Sequence, residues 1–330
     1  MDAIFQLATA NLVSPPVLFF ILGFGGALVG SQLTLPEAMA KTLSIYLMLA
    51  IGFKGGVALA AEGVTLALIL ALLAGTVLSS LIPVVAFIIL KLFSNLPRVD
   101  AAAVAAHYGS ISIVTFVAAT QALEGIGLKP EGYMVAVAAI METPAIIVAL
   151  LLARGVRADV KRKSGDAQEG LLKEVLLNSS IVVLMGAFVI GAISGQPGMD
   201  AVSGFIVVPF TGILCLFLLD MGAVAGRGMT QGASVLNLRL IVFALIMPFI
   251  GACMATPLAW LAGLDAGSAA LLLTLAASAS YIAVPAALRI ALPEARPSVY
   301  LTLSLGVTFP MNLTLGIPTY AAMATWAVGG

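Results

Sequence analysis

Two short stretches of the chain place hydroxyl and small side chains inside otherwise apolar sequence. They cover residues 106–115 and 276–285, and Gly109 and Pro285 are the natural break points for a helix that passes through each. If both helices break inside a membrane, the free N–H groups and positive dipole ends of two half-helices would face one another. Such a pair of helix ends would bind an anion without a buried Lys or Arg. The candidate substrate ligands are Gly109, Ser110, Ser112, Thr115, Ser278, Ala279, Ser280 and Tyr281.

The alternative interpretation of these residues is helix packing. Ser, Thr, Ala and Gly are common where membrane helices approach each other closely. A single stretch of this kind would favour packing over binding. Two stretches at corresponding places of an internal repeat favour a binding site.

A second kind of chemistry centres on Glu142, which directly precedes Thr143 and Pro144. An ionised carboxylate at membrane depth is strongly penalised unless a cation or a proton accompanies it. No Lys or Arg lies between residues 101 and 123 or between 266 and 288, so the expected companion is a sodium ion or a proton. The predicted sodium ligands are Glu142, Thr143, Thr308 and His107.

Three of the ionisable residues leave two interpretations open. His107, the single histidine, either lines a pore as a proton-sensitive group or packs as an ordinary hydrogen-bonded residue. Lys54 and Asp220 either anchor helix ends at the membrane interface or pair with each other across the repeat axis. Spacing alone does not decide between them.

Composition places the elements that carry these residues in a membrane. Of the 330 residues, 62% are hydrophobic and only 9% are charged, with a mean hydropathy of +1.16. The net charge is zero and no basic stripe is present, which argues against nucleic acid as a partner. The chain has no His-Glu-x-x-His, paired-cysteine or nucleotide-binding glycine motif, so we expect neither an enzyme nor a cofactor.

Apolar runs of the length that crosses a bilayer, about 20 residues, divide the sequence into ten spans. They cover residues 15–33, 37–54, 63–93, 100–123, 131–153, 172–194, 201–222, 237–262, 266–290 and 297–326. The two hydroxyl stretches fall in spans four and nine. Glu142 falls in span five.

One polar segment, 154–173, separates two equal halves of the chain. The positive-inside rule places this linker in the cytoplasm. With ten spans, thirteen of the fifteen Lys and Arg residues then lie on the cytoplasmic side, and only Lys54 and Lys129 lie outside. We therefore expect a multi-pass protein of the bacterial inner membrane with both termini outside the cytoplasm.

The two halves carry matching motifs in the same order. Residues 49–52 match 219–222, 100–101 match 265–266, 110–112 match 278–280, and 141–144 match 307–310. A repeat of five spans must enter the membrane from opposite sides in its two copies. The predicted fold is an all-α membrane protein of ten transmembrane helices in two inverted five-helix repeats, 1–153 and 174–330, with spans four and nine broken and crossing.

At this level of detail the sequence resembles the sodium-dependent bicarbonate transporter family first known from cyanobacteria. The resemblance rests on residues 30–38 and 52–56, Ser112 with Thr115, residues 276–280, and Tyr300 followed by the Pro310 segment. It implies that bicarbonate binds between two crossing broken helices with sodium nearby. It also implies a core of spans three to five and eight to ten, a homotrimer, and a PII-like regulator on the cytoplasmic side.

The sequence departs from the family pattern at three places. Residues 280–283 read Ser-Tyr-Ile-Ala where cyanobacterial members tend to have Ser-Asp-Ile-Ser, which removes a carboxylate and a hydroxyl. Glu142 stands where an Asp is typical, and the central loop is short. These departures bear on the sodium site and on the regulator.

The leading functional hypothesis is sodium-coupled import of bicarbonate or a similar small anion by alternating access. Importing one negative charge against an inside-negative potential costs about 2.3 kcal/mol per 100 mV, and one co-imported cation cancels that term. The alternatives are an anion channel, in which spans four and nine would line a continuous path, and a receptor that kept the transporter fold without active flux. Tyr281, in place of a carboxylate, is the main support for the receptor.

Overall fold

The computed structural model describes residues 12–33, 35–154, 179–232, 237–281 and 283–329. All regular secondary structure in these ranges is helical. The first half contains α1 (Pro15–Leu28), α2 (Glu37–Glu62), α3 (Leu66–Phe93), α4 (Arg98–Gly109), α5 (Ile113–Gly125), α6 (Met134–Ile140) and α7 (Glu142–Arg154). The second half contains α8 (Ser179–Ile206), α9 (Phe210–Gly232), α10 (Leu238–Leu261), α11 (Ala266–Ala277), α12 (Ala283–Ala291) and α13 (Pro297–Val328).

Eight helical segments of the described ranges are long and apolar enough to cross a membrane. Helices α4 and α5 together form one of them, and α6 and α7 form another. The first predicted span contains α1, an apolar helix of 14 residues, and the ninth begins with α11, an apolar helix of 12 residues. The helices follow the order of the ten predicted apolar runs, and eight of them are confirmed as membrane-length segments.

Polar side chains at the predicted boundaries begin several helices. The side chains of Thr65, Asn237 and Asp265 accept hydrogen bonds from backbone N–H groups in the first turns of α3, α10 and α11. These caps satisfy donors that a helix start leaves unpaired. The local sequence therefore determines the residue at which each of these helices begins.

The predicted end of span six coincides with a break in the helix, but the predicted start of span seven is wrong. Gly195, one residue after the predicted end, has φ 56° and ψ −155°, which is not helical and divides α8 into two parts. The second part of α8 continues to Ile206 and α9 begins only at Phe210, so residue 201, the predicted start of span seven, lies inside α8. Glycine tolerates a positive φ, which explains why the kink lies at this residue.

Helix α1 packs along α9, and α2 packs along α8. Both contacts depend on glycines four residues apart. Each faces backbone atoms of its neighbour: Gly52 and Gly56 on α2 face Leu184 and Phe188, and Gly222 and Gly226 on α9 face Phe20 and Phe24. A Cβ atom at any of these positions would meet the opposing backbone, so the absence of a side chain permits the close approach. We call α1, α2, α8 and α9 the glycine-packed group.

The remaining helices pack around the two hydroxyl stretches. Helix α3 packs on α4 and α10, α4 packs on α7, and α11 packs on both α10 and α13. Two contacts tie the starts of α4 and α11 to distant loops. Asp100 accepts hydrogen bonds from the backbone N–H and the Nε of Arg296 at 2.9 and 2.8 Å, and Ser268 Oγ accepts one from the Glu131 N–H at 2.9 Å. The broken helices are thus held at their outer ends by the other half of the chain.

Candidate functional site

The first hydroxyl stretch interrupts a helix at the predicted place. Helix α4 ends at Gly109, the backbone of Ser110 is extended, and α5 begins at Ile113. The Ser112 side chain caps α5 by accepting a hydrogen bond from the Thr115 N–H at 3.2 Å. A Cβ atom at Gly109 would collide with the ring of Pro83, so the end of α4 lies tightly against α3.

The second stretch also interrupts a helix, but not at Pro285. Helix α11 ends at Ala277, Ser278 is extended, and α12 begins at Ala283. The prediction of a break at Pro285 is wrong, because this proline lies in the first turn of α12. The first turn accommodates proline because the N–H groups there have no partner within the helix.

The two breaks lie against each other. The Ser280 N–H donates to the His107 carbonyl at 2.7 Å, and the Ser112 N–H donates to Ser278 Oγ at 3.0 Å. Ser278 Oγ in turn donates to the Leu275 carbonyl at 2.8 Å. The structure therefore brings together two segments that lie 166 residues apart in the chain.

The predicted substrate ligands differ in how far they are already engaged. Ser112 and Ser278 hold the protein's own groups, as described above. Among the described residues, the buried hydroxyls of Ser110 and Tyr281 form no hydrogen bond of good geometry, and Ser112 is a polar side chain close to the Tyr281 hydroxyl. An unpaired buried hydroxyl is costly, so Ser110 and Tyr281 are the side chains best placed to receive a ligand. Thr115, Ala279 and Ser280 are buried beside them.

Glu142 is the first residue of α7 and only 1% exposed. Neither carboxylate oxygen has a hydrogen-bond partner among the described residues. Ser79 of α3 binds the backbone on both sides of Glu142. Its hydroxyl donates to the Met141 carbonyl and accepts from the Ala145 N–H at 3.2 Å. A carboxylate in this position requires a proton or a cation.

The other predicted sodium ligands are placed differently. Thr308 lies in a π-helical stretch of α13, Thr302–Thr308, and its hydroxyl donates to the Ala244 carbonyl at 2.7 Å. It therefore accepts the hydrogen bond that joins it to the Tyr108 hydroxyl at 2.6 Å. Thr143 is half-buried beside Glu142. The structure shows no hydrogen bond from either threonine to the Glu142 carboxylate.

His107 is fully buried in the last turn of α4. Its Nδ1 lies 2.7 Å from the Ala103 carbonyl, which can only accept, so Nδ1 carries the proton. The ring stacks on Tyr300 with the centroids 4.4 Å apart, and Nε2 has no partner among the described residues. His107 is thus packed on one side and presents a free nitrogen on the other.

Lys54 and Asp220 do not pair with each other. Asp220 accepts a hydrogen bond from the Leu35 N–H at 3.0 Å, and Arg227, on the same helix, donates to the Leu33 carbonyl at 3.0 Å. Lys54 Nζ instead lies 5.1 Å from the centroid of the Phe210 ring. Asp220 therefore anchors the chain that joins α1 to α2.

Sequence reasoning missed one polar residue next to the second break. Asn312 of α13 is fully buried, and its Nδ2 donates to the carbonyl of Ala277, the last residue of α11, at 2.8 Å. Tyr320 donates to Asn312 Oδ1 at 2.8 Å and fixes the amide. An Asn inside an apolar span is expensive enough to mark a functional position, and this signal was available in the sequence.

Two clefts reach towards the broken helices between the glycine-packed group and the rest of the bundle. The larger, about 500 Å³, lies between α2 and α8 on one side and α5, α6 and α11 on the other. The smaller, about 250 Å³, lies between α1, α5 and α13. Both end beside the first turns of α5, near Phe116 and Ala118.

An all-helical bundle with eight membrane-length segments among the described residues is typical of a multi-pass membrane protein, and broken helices at a buried polar site are common in membrane transporters. Residues 15–325 match the model of the Na+-dependent bicarbonate transporter superfamily. The chain belongs to that superfamily, which is a class of transporters and not of enzymes. A comparison with curated proteins found no match.

Proposed function

We propose that this chain is a secondary active transporter that imports bicarbonate or a similar small anion together with sodium by alternating access. The observation that carries the proposal is the meeting of the two helix breaks, with the buried hydroxyls of Ser110 and Tyr281, which make no well-formed hydrogen bond, beside them. Membership of the Na+-dependent bicarbonate transporter superfamily supports the substrate and the coupling ion. An anion can bind here without a Lys or Arg, since helix ends and hydroxyls supply the donors.

We further propose that the chain crosses the membrane ten times as two inverted repeats. The packing supports this, because exchanging the halves turns the contact of α1 with α9 into that of α8 with α2. The glycines obey the same exchange, since Gly52 and Gly56 on α2 correspond to Gly222 and Gly226 on α9. In this arrangement the glycine-packed group is the scaffold, and the remaining helices form the core that holds the substrate.

The coupling cation is proposed to bind at Glu142, with Thr143, Thr308 and His107 as the other ligands. Two observations support this assignment: the Glu142 carboxylate is buried without a partner, and His107 Nε2 is free. The hydroxyl of Thr308 keeps one lone pair beyond its bonds to Tyr108 and Ala244. A cation bound here would neutralise the buried carboxylate.

The proposed orientation keeps the 154–173 linker in the cytoplasm and both termini outside. Lys54 and Lys129, the two basic residues assigned to the outside, line the same cleft, which agrees with their being on one side. The homotrimer and the PII-like regulator are proposals carried over from the resemblance. The linker, which would face the regulator, lies outside the described residues except for Arg154.

The deciding experiment is uptake of labelled bicarbonate into proteoliposomes under an imposed inward sodium gradient, with a potassium gradient as control. We expect uptake above equilibrium with sodium and none with potassium. Flux that follows the bicarbonate gradient equally in both salts would indicate a channel. Binding without flux would indicate a receptor, and either result would reject active transport.

A further inference from the structure

The larger cleft runs along one face of α5 towards the helix break. Phe116, Thr120 and Glu124 line it, and because they are four residues apart they share a face of the helix. Ser112, the cap of α5, continues the same face one turn deeper. At about 1.5 Å per residue, the path from Glu124 to Ser112 is about 18 Å long. Phe116, 2% exposed, is the side chain between the end of the cleft and Ser112.

The opposite wall of this cleft carries one cation, Lys54 of α2, flanked by Gly55 and Ala58. Lys54 lies about 12 Å along the helix from its end at Glu62, well inside the membrane-length segment. Among the described residues, no carboxylate lies within 4 Å of its ammonium group. The Phe210 ring, 5.1 Å away, offers only partial compensation for the charge.

A lysine inside a membrane span is expensive unless it is paired or functional. We propose that Lys54 forms an entry subsite for the transported anion, separate from the site at the broken helices. The anion would meet the ammonium group in the cleft before it passes Phe116 to reach Ser112. The subsite rests on the proposed function, because it is a station for the same small monoanion.

The other charges of the cleft lie nearer its mouth than Lys54. Glu124, Lys129 and Glu131 line the cleft together with Lys54. Glu124 belongs to the last turn of α5, and Lys129 and Glu131 belong to the segment that follows it, whereas Lys54 lies deeper on the opposite wall. The mouth carries two carboxylates and one ammonium group, a net charge of −1, so Lys54 is the group of this cleft that can attract an anion at depth.

The test measures the KM and kcat of sodium-driven uptake of labelled bicarbonate in proteoliposomes for three variants of the full chain. Lys54→Met removes the charge, Lys54→Arg keeps it, and Lys41→Met removes an exposed lysine from the same helix outside the cleft. We expect Lys54→Met to raise the KM by about three- to tenfold with kcat within about twofold. Lys54→Arg and Lys41→Met should stay within about twofold of the parent in both constants.

A charge-rescue experiment covers the case in which Lys54→Met does not fold. Lys54→Cys is made in a background with Cys215→Ala and Cys253→Ala. It is then treated with membrane-impermeant thiosulfonates that carry a trimethylammonium or a sulfonate group. The trimethylammonium reagent should restore a low KM, and the sulfonate should raise the KM further. Both reagents should change the KM only when they are added on the side of the membrane to which the cleft opens.

An unchanged KM in Lys54→Met, a fall in kcat without a rise in KM, or equal effects of the two reagents would overturn the subsite while leaving the proposed function intact. The second of these results would mean that Lys54 pairs with Glu124 or Glu131 during the conformational change. Parent protein that takes up no bicarbonate under a sodium gradient would overturn both proposals.

Discussion

At the scale of single residues, the site combines engaged hydroxyls with buried polar groups that have no partner. The Ser112 hydroxyl caps α5 and the Ser278 hydroxyl joins the two breaks, whereas Ser110, Tyr281, His107 and Glu142 each keep a polar atom without a well-formed hydrogen bond. Unpaired buried groups destabilise the folded protein. Four such groups at and near the helix breaks are explained if ligands complete them.

A substitution that removes the Tyr281 hydroxyl distinguishes a role in bicarbonate binding from a role in the stability of the fold. Tyr281→Phe removes a hydroxyl that lies near Ser112 but makes no well-formed hydrogen bond, so we expect a smaller loss of thermal stability than in Tyr108→Phe, while the KM for bicarbonate rises about fivefold. Tyr108→Phe is the matched control, because it removes the bond to Thr308 and should lower stability by about 1 kcal/mol. Thermal unfolding in detergent and uptake kinetics check the pair. A stability loss in Tyr281→Phe with an unchanged KM would refute this role.

A substitution at Glu142 tests whether its carboxylate binds the coupling cation. Glu142→Gln keeps the size of the side chain but cannot neutralise a cation, so sodium stimulation of uptake should fall by more than about tenfold, which is about 1.4 kcal/mol of coupling. Asp220→Asn is the control, since its side-chain oxygen can still accept from the Leu35 N–H. Initial rates against sodium concentration give the answer. Sodium stimulation at the parent level in Glu142→Gln would show that the carboxylate is structural.

At the scale of helices, the glycine-packed group and the broken helices show two uses of small residues. Gly52, Gly56, Gly222 and Gly226 let backbones touch and hold helices at close distance. Gly109 and the serines at 110, 112, 278 and 280 instead lie where helices stop. The first use predicts a rigid scaffold, and the second predicts a polar site in an apolar bundle.

Scaffold packing can be tested on α9. A Cβ atom at Gly222 would collide with the Phe20 carbonyl of α1, so Gly222→Ala should destabilise the protein by about 1–3 kcal/mol. Gly228 on the same helix has no atom within 4 Å of the equivalent position, and Gly228→Ala should be neutral or stabilising by up to about 1 kcal/mol. Thermal unfolding of the two purified variants compares them. Equal unfolding temperatures would argue against close packing of α1 on α9.

At the scale of the whole molecule, the two halves of the chain contact each other both at the starts of the broken helices and at the breaks. Asp100 holds Arg296, Ser268 holds Glu131, and the two breaks exchange hydrogen bonds at the centre. Neither half has a complete site alone. The distribution of Lys and Arg along the chain then predicts which side of the molecule faces the cytoplasm.

Orientation is tested by thiol labelling in intact cells, in a background with both native cysteines replaced by alanine. Gly165→Cys should not react with a membrane-impermeant maleimide, because thirteen of the fifteen basic residues place its side in the cytoplasm. Lys129→Cys should react. Reaction at residue 165 in intact cells would show that the linker lies outside the cytoplasm and that the predicted orientation is wrong.

The sequence by itself determined the features that depend on local composition. The order of the apolar segments, the end of α4 at Gly109 and the resemblance to the bicarbonate transporter family could all be predicted, because hydropathy, helix-breaking residues and motifs are properties of adjacent positions. Glu142 was recognised for the same reason. An acidic residue within an apolar run is visible without a structure.

Only the tertiary structure decided which groups meet. It placed the second break directly after Ala277 rather than at Pro285, joined Ser112 to Ser278, and separated Lys54 from Asp220. It also showed that Asn312 caps the end of α11. The physical reason is that a hydrogen bond depends on distances of about 3 Å between atoms, and folding sets those distances between residues far apart in the chain.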